Sequence, residues 1–201
     1  LPFGYTVHDV NAGCPTITFL GPDGMYCGAQ TDPAICGACL AAQSAFAGVD
    51  IVAWREAHRP LVERASFLIA PSRWAADTLA RFYPSARVRV VPHGIPEVTP
   101  RHAGTRLAVM LPDDGVPTVA VLGAVGPDKG ARRIERLVEL ARERGSSVRF
   151  VLIGYLDRQH AAWQSDDARF TVHGRYDPRD LPDLLAHYRV SLVLYPSAGP
   201  E

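Results

Sequence analysis

The chain reads as an α/β protein with parallel sheets, arranged as two units. Two observations carry this. Apolar runs of about five to seven residues alternate with helical stretches along most of the chain, as expected for strands buried on both faces beneath crossover helices. Between residues 95 and 116 that alternation gives way to a proline- and glycine-bearing stretch of mixed charge, which reads as a linker.

Taken in order, "YTVHD" (Tyr5–Asp9) suits a short strand running into a loop. A Gly- and Pro-rich loop then runs to about Leu40 and is expected to lack secondary structure. "DIVAWREAHRPLVERA" (Asp50–Ala65) reads as a helix capped by Asp50 and kinked or restarted at Pro60, because proline lacks the amide and crowds the preceding turn. "FLIAP" (Phe67–Pro71) is a strand. Ser72 opens the next helix as its N-cap, with Trp74, Leu79 and Phe82 facing inward. "VRVVPHG" (Val88–Gly94) is a strand closed by Gly94 in a positive-φ turn.

After the linker come strand "TVAVLG" (Thr118–Gly123), loop "AVGPDKG" and a helix whose Ile134, Leu137, Val138 and Ala141 form one apolar stripe, with Gly145 where a C-cap belongs. Strands "VRFVLIG" (Val148–Gly154) and "RFTVHG" (Arg169–Gly174), helix "PRDLPDLLAHY" (Pro178–Tyr188) and strand "VSLVLYP" (Val190–Pro196) complete the chain.

With 21 basic against 21 acidic side chains, the composition carries no nucleic-acid footprint, and no apolar run approaches the roughly 18 residues a membrane span needs. Lys129 is the sole lysine among those 21 basic residues, and it stands in the strand-to-helix loop. Backbone amides at a helix start, with an ammonium beside them, suit a phosphate. The loop lacks the Ser or Thr of a Walker A motif and does not match G-x-G-x-x-G. On its own it reads equally well as a glycine turn with one solvated lysine.

The blocks "FLIAPSRWAADTLARFYPSARVRVVPHGI", "TVAVLGAVGPDKGARRIERLVELARE", "VRFVLIGY" and "FTVHGRYDPRDLPDLLAHYRVSLVLYPSAGPE", in this order and spacing, resemble a glycosyltransferase of the GT-B fold, in particular the retaining family 4. The resemblance implies two Rossmann-like domains facing a cleft, both incomplete in this chain. Residues 1–94 would be the C-terminal part of the acceptor-side domain, 95–116 the linker, and 117–201 the N-terminal part of the donor-binding domain. The chain then reads as an internal fragment, inactive alone, of a transferase moving a sugar from a UDP- or GDP-sugar to a saccharide or lipid-linked acceptor. The implied location is the cytoplasm, with peripheral association at the inner face of the membrane.

The resemblance assigns Gly123, Lys129 and Gly130 to the donor diphosphate. Ala124 stands where relatives often carry arginine. It makes Glu201 the first glutamate of E-x7-E, contacting hydroxyls of the donor sugar, and places His8 in the cleft beside the transferred sugar or acceptor. Asp9, Ser72, His93 and Gly94 would line the cleft, Asp9 chiefly anchoring the following loop, and His173 reads as a structural or rim residue. No protein nucleophile or base is named. An NAD-dependent oxidoreductase is disfavoured by the missing dinucleotide fingerprint.

The four cysteines, Cys14, Cys27, Cys36 and Cys39, are spaced C-x12-C-x8-C-x2-C within the first loop. In a cytosolic enzyme thiols stay reduced, so a structural zinc site is preferred over disulfides, an iron–sulfur cluster or unlinked thiols. Zinc would tie down a long irregular loop next to His8 and shape acceptor choice. A non-catalytic zinc-bearing interaction module on a transferase scaffold is the alternative.

Overall fold

The structure, a computed structural model, describes residues 1–94, 97, 99, 100, 109–112 and 114–199. Most of the expected linker, and Glu201, lie outside the described residues. The chain divides into two compact units, residues 1–95 together with 198–201, and residues 96–197.

In the first unit, β1 (Gly4–Thr6), β2 (Phe67–Ala70) and β3 (Val88–Val90) form a parallel sheet in that spatial order. Parallel neighbours need crossovers. α2 (Ile51–Glu63) lies between β1 and β2 in the chain, and α3 (Arg73–Phe82) between β2 and β3. Leu68, Ala70, Val62, Ala75, Leu79 and the fully buried Tyr83 share one core. Asp50 caps α2 by accepting from the amides of Val52 (2.8 Å) and Ala53 (3.2 Å), and Ser72 caps α3 by accepting from Ala75 (3.1 Å).

Two expectations need correction here. α2 does not restart at Pro60: the helix runs through it to Glu63, with Arg64 N–H donating to the Pro60 carbonyl at 3.1 Å. Pro60 is exposed and only one turn from the helix end, so the carbonyl its missing amide strands can meet water. The cysteine loop is not devoid of secondary structure. It contains α1 (Pro33–Ala41), whose N-cap Asp32 accepts from Ala34 at 2.8 Å and whose first residue is proline, an arrangement that favours helix initiation.

The second unit holds a five-stranded sheet ordered β6-β7-β5-β4-β8: β4 (Thr118–Val125), β5 (Arg149–Leu156), β6 (Trp163–Gln164), β7 (Phe170–Val172) and β8 (Val190–Val193). All neighbours are parallel except β6, which runs antiparallel to β7. β4 and β5 pair over eight residues, from Thr118↔Arg149 to Val125↔Leu156, and so outrun the glycines at which the apolar runs end. α4 (Ala131–Glu143) covers one face through Ile134, Val138 and Ala141 against Val121, Leu152 and Val172. A 3-10 turn at Pro178–Asp180 leads into α5 (Leu181–His187), which covers the other face with Leu184 and Tyr188 against Ala120, Val151 and Ile153.

Leu137 was expected in the α4 stripe but is 36% exposed, because the stripe is narrow and Leu137 falls on its edge. Gly145 does end α4. At φ +64° its amide donates to Arg142 O (3.0 Å) while Ser146 N–H donates to Ala141 O (2.9 Å), the Schellman arrangement. The class is therefore mixed α/β with sheets dominated by parallel pairing.

Candidate functional site

In a parallel sheet the strand carboxyl ends carry the loops that bind ligands. Across this edge of the second unit runs a row of glycines. Gly123 of β4 is registered with Gly154 of β5, and Gly174, just after β7, donates its amide to Gly154 O at 2.8 Å. All three hold positive φ, at +96°, +140° and +90° respectively. A Cβ on Gly154 would drive into the backbone of Gly123. Gly154 and Gly174 are buried and face backbone of Gly123 and of residues 160–162, so glycine there lets neighbouring segments pack closely, and half-buried Gly123 is the one of the three that faces open space.

Lys129 sits in the loop that follows β4. It is exposed and makes no ion pair with any described residue. Gly130 adopts φ +87°, and a Cβ there would overlap the Pro196 carbonyl. The expected cradle of free amides at the α4 start is largely occupied by the loop itself. Gly130 N–H donates to Pro127 O (3.2 Å), Ala131 N–H to Gly126 O (3.0 Å) and Arg133 N–H to Gly130 O (2.9 Å). The loop's charged side chains are Asp128 and Lys129, and Arg133 of α4 donates to Ser197 O at 2.6 Å beside it.

Below Gly174 opens a cavity of about 640 Å³, within the size range of small-ligand pockets. His160, His173, Gly174, Arg175 and Tyr176 line it. The Arg175 guanidinium lies 4.5 Å over the Tyr155 ring, whose other neighbour is His160 at 4.8 Å between centroids. His173 is buried and its Nδ1 hydrogen-bonds with Tyr188 Oη at 2.7 Å. Burial lowers the His173 pKa, the nearby His187 lowers it further, and Asp180 opposes both. Burial pushes Tyr188 up to about 12.

The depressed imidazole has a consequence for stability. Below the ordinary value of 6.5 the unfolded chain binds a proton that the folded chain refuses, so stability falls as pH drops from 6.5 to the lowered folded value. Replacing His173 by glutamine should flatten the unfolding free energy against pH across that window. An unchanged slope in urea titrations taken downward from pH 6.5 would show that His173 is not held neutral.

In the first unit, His8, Asp9, Ser72 and His93 all follow the ends of β1, β2 or β3, and therefore share that sheet's carboxyl edge. The His8 and His93 rings meet edge-on, 6.3 Å apart. Asp9 Oδ1 accepts from Asn11 N–H at 2.8 Å and so turns the chain into the cysteine loop. Gly94 does not form the expected turn. It is not among the glycines with positive φ, and a Cβ there would meet open space.

The cysteine loop is held in a way the sequence did not suggest. Arg55 of α2 donates from Nε to Gly13 O (3.0 Å), from Nη1 to Thr31 O (2.7 Å) and from Nη2 to Cys36 Sγ (3.2 Å). Its guanidinium also packs over Phe82 at 4.7 Å. Trp54 Nε1 donates to Asn11 O (2.7 Å), Arg81 to Gly28 O (2.8 Å), and the buried Tyr83 hydroxyl is shared between Ala12 O (2.8 Å) and Arg55 O (2.9 Å). Donors on α2 and α3 thus satisfy the loop's carbonyls.

The thiols have separate partners. Cys14 Sγ hydrogen-bonds with Thr16 Oγ1 (3.3 Å), Cys36 also donates to Gln30 O (3.3 Å), and Cys39 accepts from Gln43 at 3.5 Å. Burial raises the pKa of Cys36 and Cys39, and the other thiols nearby add to the shift. All four cysteines are free. Although they share one neighbourhood, no three His, Cys, Asp or Glu side chains among the described residues stand close enough to hold a metal ion. The tetrahedral set expected of Cys14, Cys27, Cys36 and Cys39 is therefore not assembled, and the side-chain clamps above restrain the loop.

Among the described residues no helix is long and apolar enough to cross a membrane. No known family matches the chain, and no curated protein aligns with it significantly.

Proposed function

We propose that this chain is part of a retaining GT-B glycosyltransferase, of the kind family 4 represents, which uses a nucleotide-activated sugar. The observation that carries this reading is the open backbone at Gly123, near the carboxyl edge of a parallel sheet, with a lysine in the adjoining loop that pairs with no described residue and a cavity beside Gly174. Bare backbone at Gly123 lets a diphosphate approach closely. The Lys129 ammonium would offset the negative charge that grows on the leaving diphosphate as the sugar–phosphate bond breaks. The cavity beside Arg175 and Tyr176 would take the nucleoside.

In a retaining transfer without a protein nucleophile, an oxygen of the departing phosphate accepts the acceptor hydroxyl's proton on the face from which the phosphate leaves. This chain's residues then need only bind, orient and neutralise. His8 and His93 are proposed for the acceptor side, with a saccharide or lipid-linked acceptor. Glu201 keeps its proposed contact with the donor sugar, outside the described residues.

The reading is tested by titrating the chain with UDP and GDP while following amide shifts. Saturable shifts at Gly123, Gly154, Gly174 and the Lys129 loop are expected from one of the two. Lys129→Ala should weaken that binding about tenfold, the scale of one charge-assisted contact. If neither nucleotide perturbs this edge, or Lys129→Ala binds as tightly as the parent, the proposal fails.

A further inference from the structure

On the α4 face of the same sheet, opposite the α5 side, lies a second concavity of about 470 Å³. Glu135, Glu139 and Arg142 of α4 form one wall, and Gln159, Trp163 and Phe170 the other. The second wall is built by the excursion between β5 and β7, which is fixed at several points. Leu156 and Gln159 form a bridge, Gln159 Nε2 donates to Ala161 O at 3.1 Å, and Trp163 pairs with Val172.

Trp163 is 45% exposed, an unusual state for so large an apolar ring. It is not loose: it meets Phe170 edge-to-face, with centroids 6.0 Å apart and planes at 79°. That geometry leaves a fixed aromatic surface exposed.

The charges around it are already matched. Arg142 makes a fork with Asp167 (2.7 and 2.9 Å), Arg158 pairs with Glu135, and Glu139 accepts from Arg136 at 3.2 Å. Among the described residues that line it, no cation is left over to recruit a phosphate or carboxylate, and the carboxylates Glu135 and Glu139 would repel one. A purely apolar ligand would be penalised by the charged wall. The chemistry left is a neutral molecule with one apolar face and many hydroxyls.

We propose that this concavity binds a neutral saccharide, one pyranose ring stacked on Trp163 and its hydroxyls bonded to Glu139, Arg142 and Gln159. A sugar ring presents a face of C–H groups, which suits an aromatic plate, and hydroxyls that donate to Glu139 and accept from Arg142 and Gln159. The inference does not rest on the transferase reading, since none of these residues belongs to the glycine-row edge.

The test uses the three tryptophan indole N–H resonances of the whole chain, the Trp163 signal being the one missing from the spectrum of Trp163→Phe. Maltotriose and cellotriose serve as neutral probes, with inorganic phosphate as the anionic one. One trisaccharide should shift the Trp163 signal saturably, with a dissociation constant of about 1–10 mM, while phosphate leaves it in place. Gln159→Ala removes one exposed side-chain bond, to Ala161 O, and should weaken that binding severalfold while lowering the thermal midpoint only slightly. No saturable shift with either trisaccharide, an equal or larger response to phosphate, or undiminished binding by Gln159→Ala would each overturn the proposal.

Discussion

Replacing Arg55 by alanine is expected to lower the unfolding free energy by about 2–4 kcal/mol, the sum of two charge-assisted bonds to loop carbonyls that would lose their donors. One side chain ties Gly13, Thr31 and Cys36 to α2 and stacks on Phe82. No neighbouring residue can replace a planar fork reaching three directions. Arg55→Lys keeps the charge but not the fork, and should recover less than half of the loss. Urea unfolding gives the energy, and thiol titration under native conditions shows where the damage lies. In the parent chain exposed Cys27 should react well before buried Cys14 and Cys36. In Arg55→Ala the Cys36 thiol, freed of its clamp, should react early. A loss below about 0.5 kcal/mol, with the order of thiol reaction unchanged, would show that the loop is held by something else.

Gly154→Ala should be more damaging still. At φ +140° any side chain is strained, and here the new methyl would also meet the backbone of Gly123 on the adjacent strand. Strain contributes about 1–3 kcal/mol and overpacking against rigid backbone about as much again. For a chain of this size that is a fall in thermal midpoint of about 4–24 °C. Gly48→Ala provides the comparison: its φ of +91° carries strain, but nothing lies within 4 Å of the new methyl. If both variants melt alike, steric contact in the glycine row is not what requires Gly154.

Much of the architecture was legible in local chemistry. Asp50, Ser72 and Gly145 act at helix ends as their side chains, or the lack of one, dictate. The apolar runs became parallel strands because helices cover both faces of the larger sheet. The glycine row was partly readable, since "TVAVLG", "VRFVLIG" and "RFTVHG" each end on glycine, but their alignment depends on register, which parallel strands set only in three dimensions. α1 left a local signal, Asp32-Pro33, that the surrounding glycines obscured. Arg55, Trp54 and Tyr83 left none. They serve carbonyls as far as 71 positions away in the chain, and an arginine on a charged helix looks like any solvated one. Gly94 shows the opposite failure: a glycine at a strand end need not turn the chain.

The unequal lengths of the ladders separate two time scales of motion. Amides of β4 and β5, zipped along eight residues beneath helices on both sides, can reach solvent deuterium only when the second unit opens as a whole. Three-residue ladders give the first unit no such seam. Its sheet is held by the core beneath α2 and α3, while its long loop is gripped by a few side chains and can breathe piecemeal whenever one of them lets go.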